Sequence, residues 1–164
     1  MPQPDSSPPE PVEIERKFLV VGQDWRIGCQ IESISQGYLS TGDDCSVRVR
    51  LRGDEAFLTI KGPPRDGMRA EFEYSIPALH ATLMLRQFCV GRMIAKRRHT
   101  LRYGERIWTV DEFEGPLAGL LMAEVELDHV GQSVALPPWL GREVTEDPRY
   151  LNSALATATA VPDF

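Results

Sequence analysis

Segment after segment of this chain sets ionisable or hydroxyl side chains at alternate positions, and that two-residue period constrains the fold more than any other feature. Side chains alternate between the two faces of a strand, whereas a helix repeats every 3.6 residues, so the period selects β-structure. Residues 12–20 (VEIERKFLV) set Glu13, Glu15 and Lys17 against Val12, Ile14, Arg16 and Phe18. In residues 45–52, Arg48, Arg50 and Arg52 oppose Val47, Val49 and Leu51, with β-branched residues favouring strand. Thr59 and Lys61 oppose Leu58 and Ile60 before the turn signals Gly62, Pro63, Pro64 and Gly67. Arg69, Glu71 and Glu73 oppose Ala70, Phe72, Tyr74 and Ile76; Lys96, Arg98 and Thr100 share a face; Asp111 lies opposite Trp108 and Val110; Glu124, Glu126 and Asp128 oppose Ala123, Val125 and Leu127.

One charged strand face is ordinarily the solvent side of a half-buried sheet, and charges at edges also discourage aggregation. Neither explains why so many strands carry long ionisable residues, or why they carry these specific types. The three lysines, Lys17, Lys61 and Lys96, all fall on these faces in a chain that otherwise uses arginine for its basic positions. An ammonium there supplies a compact point charge or a titratable amine. Carboxylates such as Glu13, Glu15, Glu124 and Glu126 repel one another if gathered in one cavity, and an oxygen-only donor set suits a hard dication, magnesium or manganese (Mg2+ or Mn2+), better than zinc. His80, His99 and His129 are too scattered to form a ligand set and are expected to be ordinary packing or surface residues. The arginines and lysines form the complementary set, suited to a compact polyanion such as a phosphate chain.

The remaining punctuation is brief. After Pro77 the spacing predicts one amphipathic helix, with Leu79, Leu83 and Phe88 on its apolar stripe, ending near Gly91. From Trp139 onward a loop is expected, then a short helix from about Asn152. Residues 1–11 (MPQPDSSPPEP), rich in proline, are expected to be a disordered tail, and residues 12–164 a single domain.

Bulk properties narrow the classes of function. The net charge of −6 argues against a general nucleic-acid grip, which needs a basic excess. No apolar run reaches the ~20 residues of a membrane span, so no membrane partner is expected. Cys29, Cys45 and Cys89 fit neither a disulfide framework nor a C-x-x-C metal site; three packed thiols point to a reducing, cytoplasmic compartment. No glycine-rich phosphate loop or nucleophile elbow is present.

The run Glu13-Ile14-Glu15-Arg16-Lys17, followed in order by RVR, TIK, EFE, KRR, VDEF and AEVE, resembles the CYTH domain or triphosphate tunnel metalloenzyme superfamily, ExExK being its signature. The QGYL segment at residues 36–39 and the VTEDPRYLNSALA ending are similar to its short prokaryotic members, so the resemblance spans residues 12–156. It implies a mainly β fold, a closed eight-stranded antiparallel barrel or tunnel with a few flanking helices, that binds triphosphate compounds with magnesium or manganese. Carried over, it implies metal binding by Glu13, Glu15 and Glu126 with Glu124 nearby, assisted by Glu71, Glu73 and Asp111. It also implies phosphate binding by Arg48, Arg50, Lys61, Lys96 and Arg98, and Lys17, with Tyr38, orienting or activating the attacking water. Arg52, Arg69 and Asp128 share these faces near strand ends. The expected activity is metal-dependent hydrolysis of tripolyphosphate, with ATP or thiamine triphosphate as other substrates, by a monomer or homodimer. Two alternatives stay open: a class IV adenylate cyclase in the same fold, and a non-catalytic polyphosphate or nucleotide sensor.

Overall fold

The structure is a computed structural model that describes residues 11–163. Strands β1 (Val12–Glu13) and β2 (Glu15–Val20) are separated only by Ile14. They are followed by β3 (Gln30–Thr41), β4 (Ser46–Arg52), β5 (Glu55–Lys61), β6 (Arg69–Ser75), helix α1 (Ala78–Phe88), β7 (Met93–Tyr103), β8 (Arg106–Phe113), β9 (Leu121–Glu126), β10 (Leu140–Glu143) and helix α2 (Asn152–Leu155). Neighbours run β1-β6-β5-β4-β3-β7-β8-β9-β2-β10, with every strand pair antiparallel.

Apart from β10, that order begins and ends on one stretch of chain. Residues 12–13 pair with β6, and residues 15–20 pair with β9. The Pro11 carbonyl accepts from the Glu71 N–H at 3.0 Å, and the Ile14 carbonyl accepts from the Leu127 N–H at 2.8 Å. Counting residues 12–20 as one strand, eight strands are joined edge to edge in a ring, with β10 added outside along β2. Such closure removes the unpaired edges that would otherwise template aggregation.

The tail expected over residues 1–11 lies outside the described residues except for Pro11, whose carbonyl belongs to this ring. Two other expectations are corrected. Residues 140–143, expected to be loop, form β10, because the segment pairs with Phe18 and Val20 and its Arg and Glu side chains gave no alternation to read. The helix after Pro77 is present, but Leu79, Leu83 and Phe88 are 68%, 43% and 58% exposed, while Ala81, Leu85 and Cys89 are buried. The helix approaches β3 so closely that small residues occupy the contact. A Cβ added at Gly37 would stand 2.6 Å from Cys89 Cβ and 2.9 Å from Leu85 Cδ2.

Three apolar clusters hold the barrel. Between α1 and the sheet, Ala81, Leu85 and Cys89 pack on Val49 and Ala56. Outside β2, β8 and β9, Phe18, Trp108, Val110, Ala123 and Val125 pack with Trp25 and Trp139. The third plugs one end of the lumen and joins Leu19, Tyr38, Ile94, Phe113 and Met122 to Val144, Tyr150 and Leu155. No helix among the described residues is long and apolar enough to cross a membrane.

Gly37→Ala should therefore push α1 off the sheet and cost about 1–3 kcal/mol of stability, the usual penalty of overpacking. Urea unfolding that leaves the midpoint unchanged would show that α1 is not seated as described.

Candidate active site

The inner face of the barrel changes character along each strand. Beyond the plug formed by Leu19, Ile94, Phe113 and Met122, the next inward positions are Lys17, Lys96, Asp111 and Glu124. The following ones are Glu15, Arg98, Thr109 and Glu126. A cavity of about 650 Å3 opens above this layer, lined by seven Lys or Arg side chains and seven glutamates. The register places opposite charges across from each other: Lys17 faces Glu124, Lys61 faces Glu71 and Arg98 faces Asp111. Such cross-strand pairs stabilise a sheet, whereas like charges directly opposed destabilise it.

On the floor, Lys17 Nζ lies 2.8 Å from Glu124 Oε1 and 2.5 Å from Glu15 Oε1. The Arg98 guanidinium donates from Nε and Nη2 to both oxygens of Asp111 at 2.7 Å, and from Nη2 to Glu124 Oε2 at 3.0 Å. Lys96 Nζ donates to Asp111 Oδ2 at 2.6 Å and to Asn152 Oδ1 at 3.2 Å. On the wall, Lys61 pairs with Glu13 and lies 3.4 Å from Glu71. Arg50 pairs with Glu73 at 3.0 Å, while Arg48 lies 3.5 Å from Glu73 and 3.1 Å from the Thr59 hydroxyl, which itself donates to Glu73 at 2.7 Å.

Burial acts on all these groups, and the neighbours decide the outcome. Desolvation works against the Lys17 ammonium, but the Glu124 and Glu15 carboxylates overcome it and raise its pKa, so the amine stays charged. Lys96 is lowered to about 8, by burial first, with Asp111 only partly compensating and Arg98 opposing. Burial favours protonated Glu124 and Asp111, yet the surrounding cations hold both below the ordinary carboxylate range. Arg50 is lowered to about 10, by burial and then by the Arg48 guanidinium, with Arg98 and Arg52 adding repulsion. Burial also raises the Tyr38 phenol, which stays protonated.

The cationic wall is thus crowded with like charge, and the buried Nε donors of Arg48, Arg50 and Arg52 have no hydrogen-bond partner among the described residues. An oxyanion chain would supply acceptors there and relieve that repulsion. The acidic side shows the converse. Glu15 and Glu126 stand directly opposite each other, and Glu126 has no ion pair among the described residues. No three acidic, His or Cys side chains among the described residues are grouped as an ion site; Lys61 pairs with Glu13 and Lys17 with Glu15. The chemistry of the set, carboxylate oxygens only and in like-charged opposition, fits a hard divalent cation.

Of the residues singled out in the sequence, Glu13, Glu15, Lys17, Arg48, Arg50, Lys61, Glu71, Glu73, Arg98, Glu124 and Glu126 line this cavity. Tyr38 lines a smaller recess beside Lys17 and Arg48. Lys96 and Asp111 line neither; both are buried next to the plug and meet the floor through Arg98 and Asn152. Arg52 lies in the main cavity and Arg69 in the recess. Sequence reasoning missed Asn152, which lines both, and the rim residues Glu105, Arg106 and Ile107. Asn152 opens α2 and carries no strand signal, whereas the alternation through residues 105–109 could have marked the rim.

A family model for the CYTH domain matches residues 11–159. The chain belongs to the CYTH domain family. Among its relatives, an inorganic triphosphatase of Acetivibrio thermocellus is 42% identical over 143 residues, covering 87% of this chain and 92% of the relative. An inorganic triphosphatase of Nitrosomonas europaea is 38% identical over 150 residues, covering 88% and 96%. A solved inorganic triphosphatase superposes with a TM-score of 0.68 at 36% identity, covering 90% of this CYTH chain and 99% of its own.

Because Glu124 and Asp111 titrate below their unfolded values, their ionised forms stabilise the fold above the unfolded carboxylate range, and that contribution is lost as pH falls. The thermal midpoint should drop as pH is lowered from about 5 to 3. Glu124→Gln, neutral there at every pH, should drop less steeply; parallel curves would exclude Glu124 as a source of the acid sensitivity.

Proposed function

We propose that this protein is a divalent-metal-dependent triphosphatase that hydrolyses inorganic tripolyphosphate inside its barrel. The observation that carries this reading is the charge balance of the lumen, seven cations against seven carboxylates. A triphosphate brings about four negative charges near neutral pH, so a neutral lumen accepts it only with added positive charge, and divalent ions supply that compactly. Similarity to two inorganic triphosphatases over most of the chain supports the same substrate class. ATP or thiamine triphosphate would share the phosphate contacts.

Glu13, Glu15 and Glu126, with Glu124 beside them, would hold the metal, which when bound lowers the pKa of coordinated water and neutralises charge on the phosphoryl group. Magnesium and manganese suit these donors equally. Glu71 and Glu73 flank the set. Arg48, Arg50, Lys61 and Arg98 grip the phosphate oxygens, Arg98 being aimed by Asp111, while Lys96 holds Asp111 and Asn152 in place. Water attacks the terminal phosphorus, the bridging P–O bond breaks, and pyrophosphate leaves into the field of the arginines. Lys17, kept charged by Glu124 and Glu15, serves to orient the nucleophile and not as its base. The Tyr38 hydroxyl, in the adjoining recess, borders the same space. The net negative charge, with the arginines and lysines of the site turned inward, favours a small-molecule partner over nucleic acid, and three free thiols suit the cytoplasm.

With purified full-length protein, magnesium or manganese and tripolyphosphate, phosphate and pyrophosphate should appear in equal amounts. Glu15→Gln and Arg50→Ala should each lower kcat/KM by about a hundred-fold or more. Cyclic AMP formed from ATP would move the chain to the cyclases, and tripolyphosphate bound without turnover would make it a sensor.

A further inference from the structure

Outside the barrel, away from the charged lumen, a cysteine, a histidine and a glutamate stand in line. Cys29 lies just before β3, His99 on the outward face of β7 and Glu112 on the outward face of β8. Cys29 Sγ is 3.4 Å from His99 Nδ1, and His99 Nε2 is 3.2 Å from Glu112 Oε2. The ring is 1% exposed, with Trp25 packed edge-on at 4.8 Å between centroids. Glu112 is held below its ordinary range by the Arg26 side-chain hydrogen bonds, with burial opposing and His99 and Arg97 adding to the effect.

These contacts fix the proton positions. An ionised carboxylate only accepts, so His99 Nε2 carries the hydrogen that faces Glu112. In the neutral ring Nδ1 is then a bare acceptor, and it faces the thiol. The Cys29 thiol also lies 3.2 Å from the Arg26 carbonyl oxygen, a second acceptor for its hydrogen. The arrangement is a nucleophile, a base beside it, and a carboxylate orienting the base, the geometry that activates cysteine as a nucleophile. Arg26 and Arg97 also pair with Glu112 at 3.1 and 3.2 Å and reinforce its orientation.

We propose that Cys29 is a reactive thiol served by His99 and Glu112, and that it takes small disulfides in thiol–disulfide exchange. As Sγ attacks one sulfur of the incoming disulfide, its proton passes to His99 Nδ1. A new Sγ–S bond forms, the original S–S bond breaks, and the departing thiolate takes the proton back from His99 and leaves as a free thiol. One disulfide and one thiol give one mixed disulfide and one thiol, with no further oxidant, and excess thiol reverses the exchange. The other two cysteines are internal references. Cys45 is half-buried like Cys29 but hydrogen-bonds to no histidine among the described residues, and Cys89 is fully buried beside α1.

The test exposes the full-length native protein to a sub-stoichiometric aromatic disulfide, and separately to oxidised glutathione, at pH 7, with peptide mass mapping over time. Cys29 should be modified about ten-fold faster than Cys45, with Cys89 silent. His99→Gln should erase most of that advantage while Cys45 keeps its rate, and Glu112→Gln should reduce it in part. If His99→Gln loosens the fold, Cys89 will become reactive and expose the artefact; the wild-type ratio of Cys29 to Cys45 then decides alone. Equal rates for Cys29 and Cys45 in the wild type, or an undiminished ratio in a folded His99→Gln protein, would overturn the proposal.

Discussion

Two buried carboxylates, Asp111 and Glu124, carry the architecture of the tunnel floor. Three cations converge on them: Lys17, Lys96 and Arg98. Each strand that contributes one of these residues is fixed relative to its neighbour by a charged contact inside the barrel as well as by backbone ladders. Removing Asp111 would leave the buried Lys96 ammonium without its hydrogen-bonded carboxylate, at a cost of about 3–5 kcal/mol. The floor also sits against the apolar plug made by the next inward residues of the same strands, so water reaches it only from the cavity side. A floor anchored this way can hold Arg98 and Lys17 in one orientation while the wall charges above rearrange around a ligand.

Ring closure and charge placement are one problem in this chain. Ile14, with no charge of its own, is where residues 12–20 pass from pairing with β6 to pairing with β9. Glu13 and Glu15 straddle it, so the basic wall of β5 and the floor of β9 meet at the signature run: Lys61 reaches Glu13, and Lys17 bridges Glu15 to Glu124. The ExExK spacing is therefore structural as well as chemical. Moving either glutamate by one position would turn its side chain out of the lumen and break the contact that closes the ring.

The charged strands were readable because each combined a strict period of two with residues rarely placed on an inner face. The elements that stayed hidden lacked that contrast. β3 is the longest strand, at twelve residues, yet QIESISQGYLST carries a single charge, and its buried positions include Gln36 and Gly37. β10 has four residues and shows itself only by pairing with β2. The α1 stripe was misassigned because hydrophobicity favours large residues, whereas the contact with β3 required small ones; the closeness imposed by Gly37 is tertiary information. Within the site, the alternation marked the wall and most of the floor but could not tell Asp111 from Glu124. Both share the inner face, and only the position of the plug decides that one is sealed and the other lines the cavity. His99 and Cys29 lie 70 residues apart in sequence, so no local pattern could join them.

A barrel chosen for stability alone would not look like this. Replacing a buried ion-pair network with apolar residues of similar volume is often neutral or stabilising, and the plug shows that this chain can fill its interior with Leu, Ile, Phe and Met. Two residues further along the same strands it places lysine, arginine and carboxylates instead. Some of the cost remains uncompensated, since Arg48, Arg50 and Arg52 keep buried Nε donors without hydrogen-bond partners among the described residues, and Glu15 faces Glu126. Each defect is matched by a ligand of opposite character: oxyanions for the unpaired guanidinium donors, a cation for the facing carboxylates. On the proposed function a metal–triphosphate complex would carry both in one molecule and relieve both defects at once, whereas a free anion or a free cation would relieve one while worsening the other.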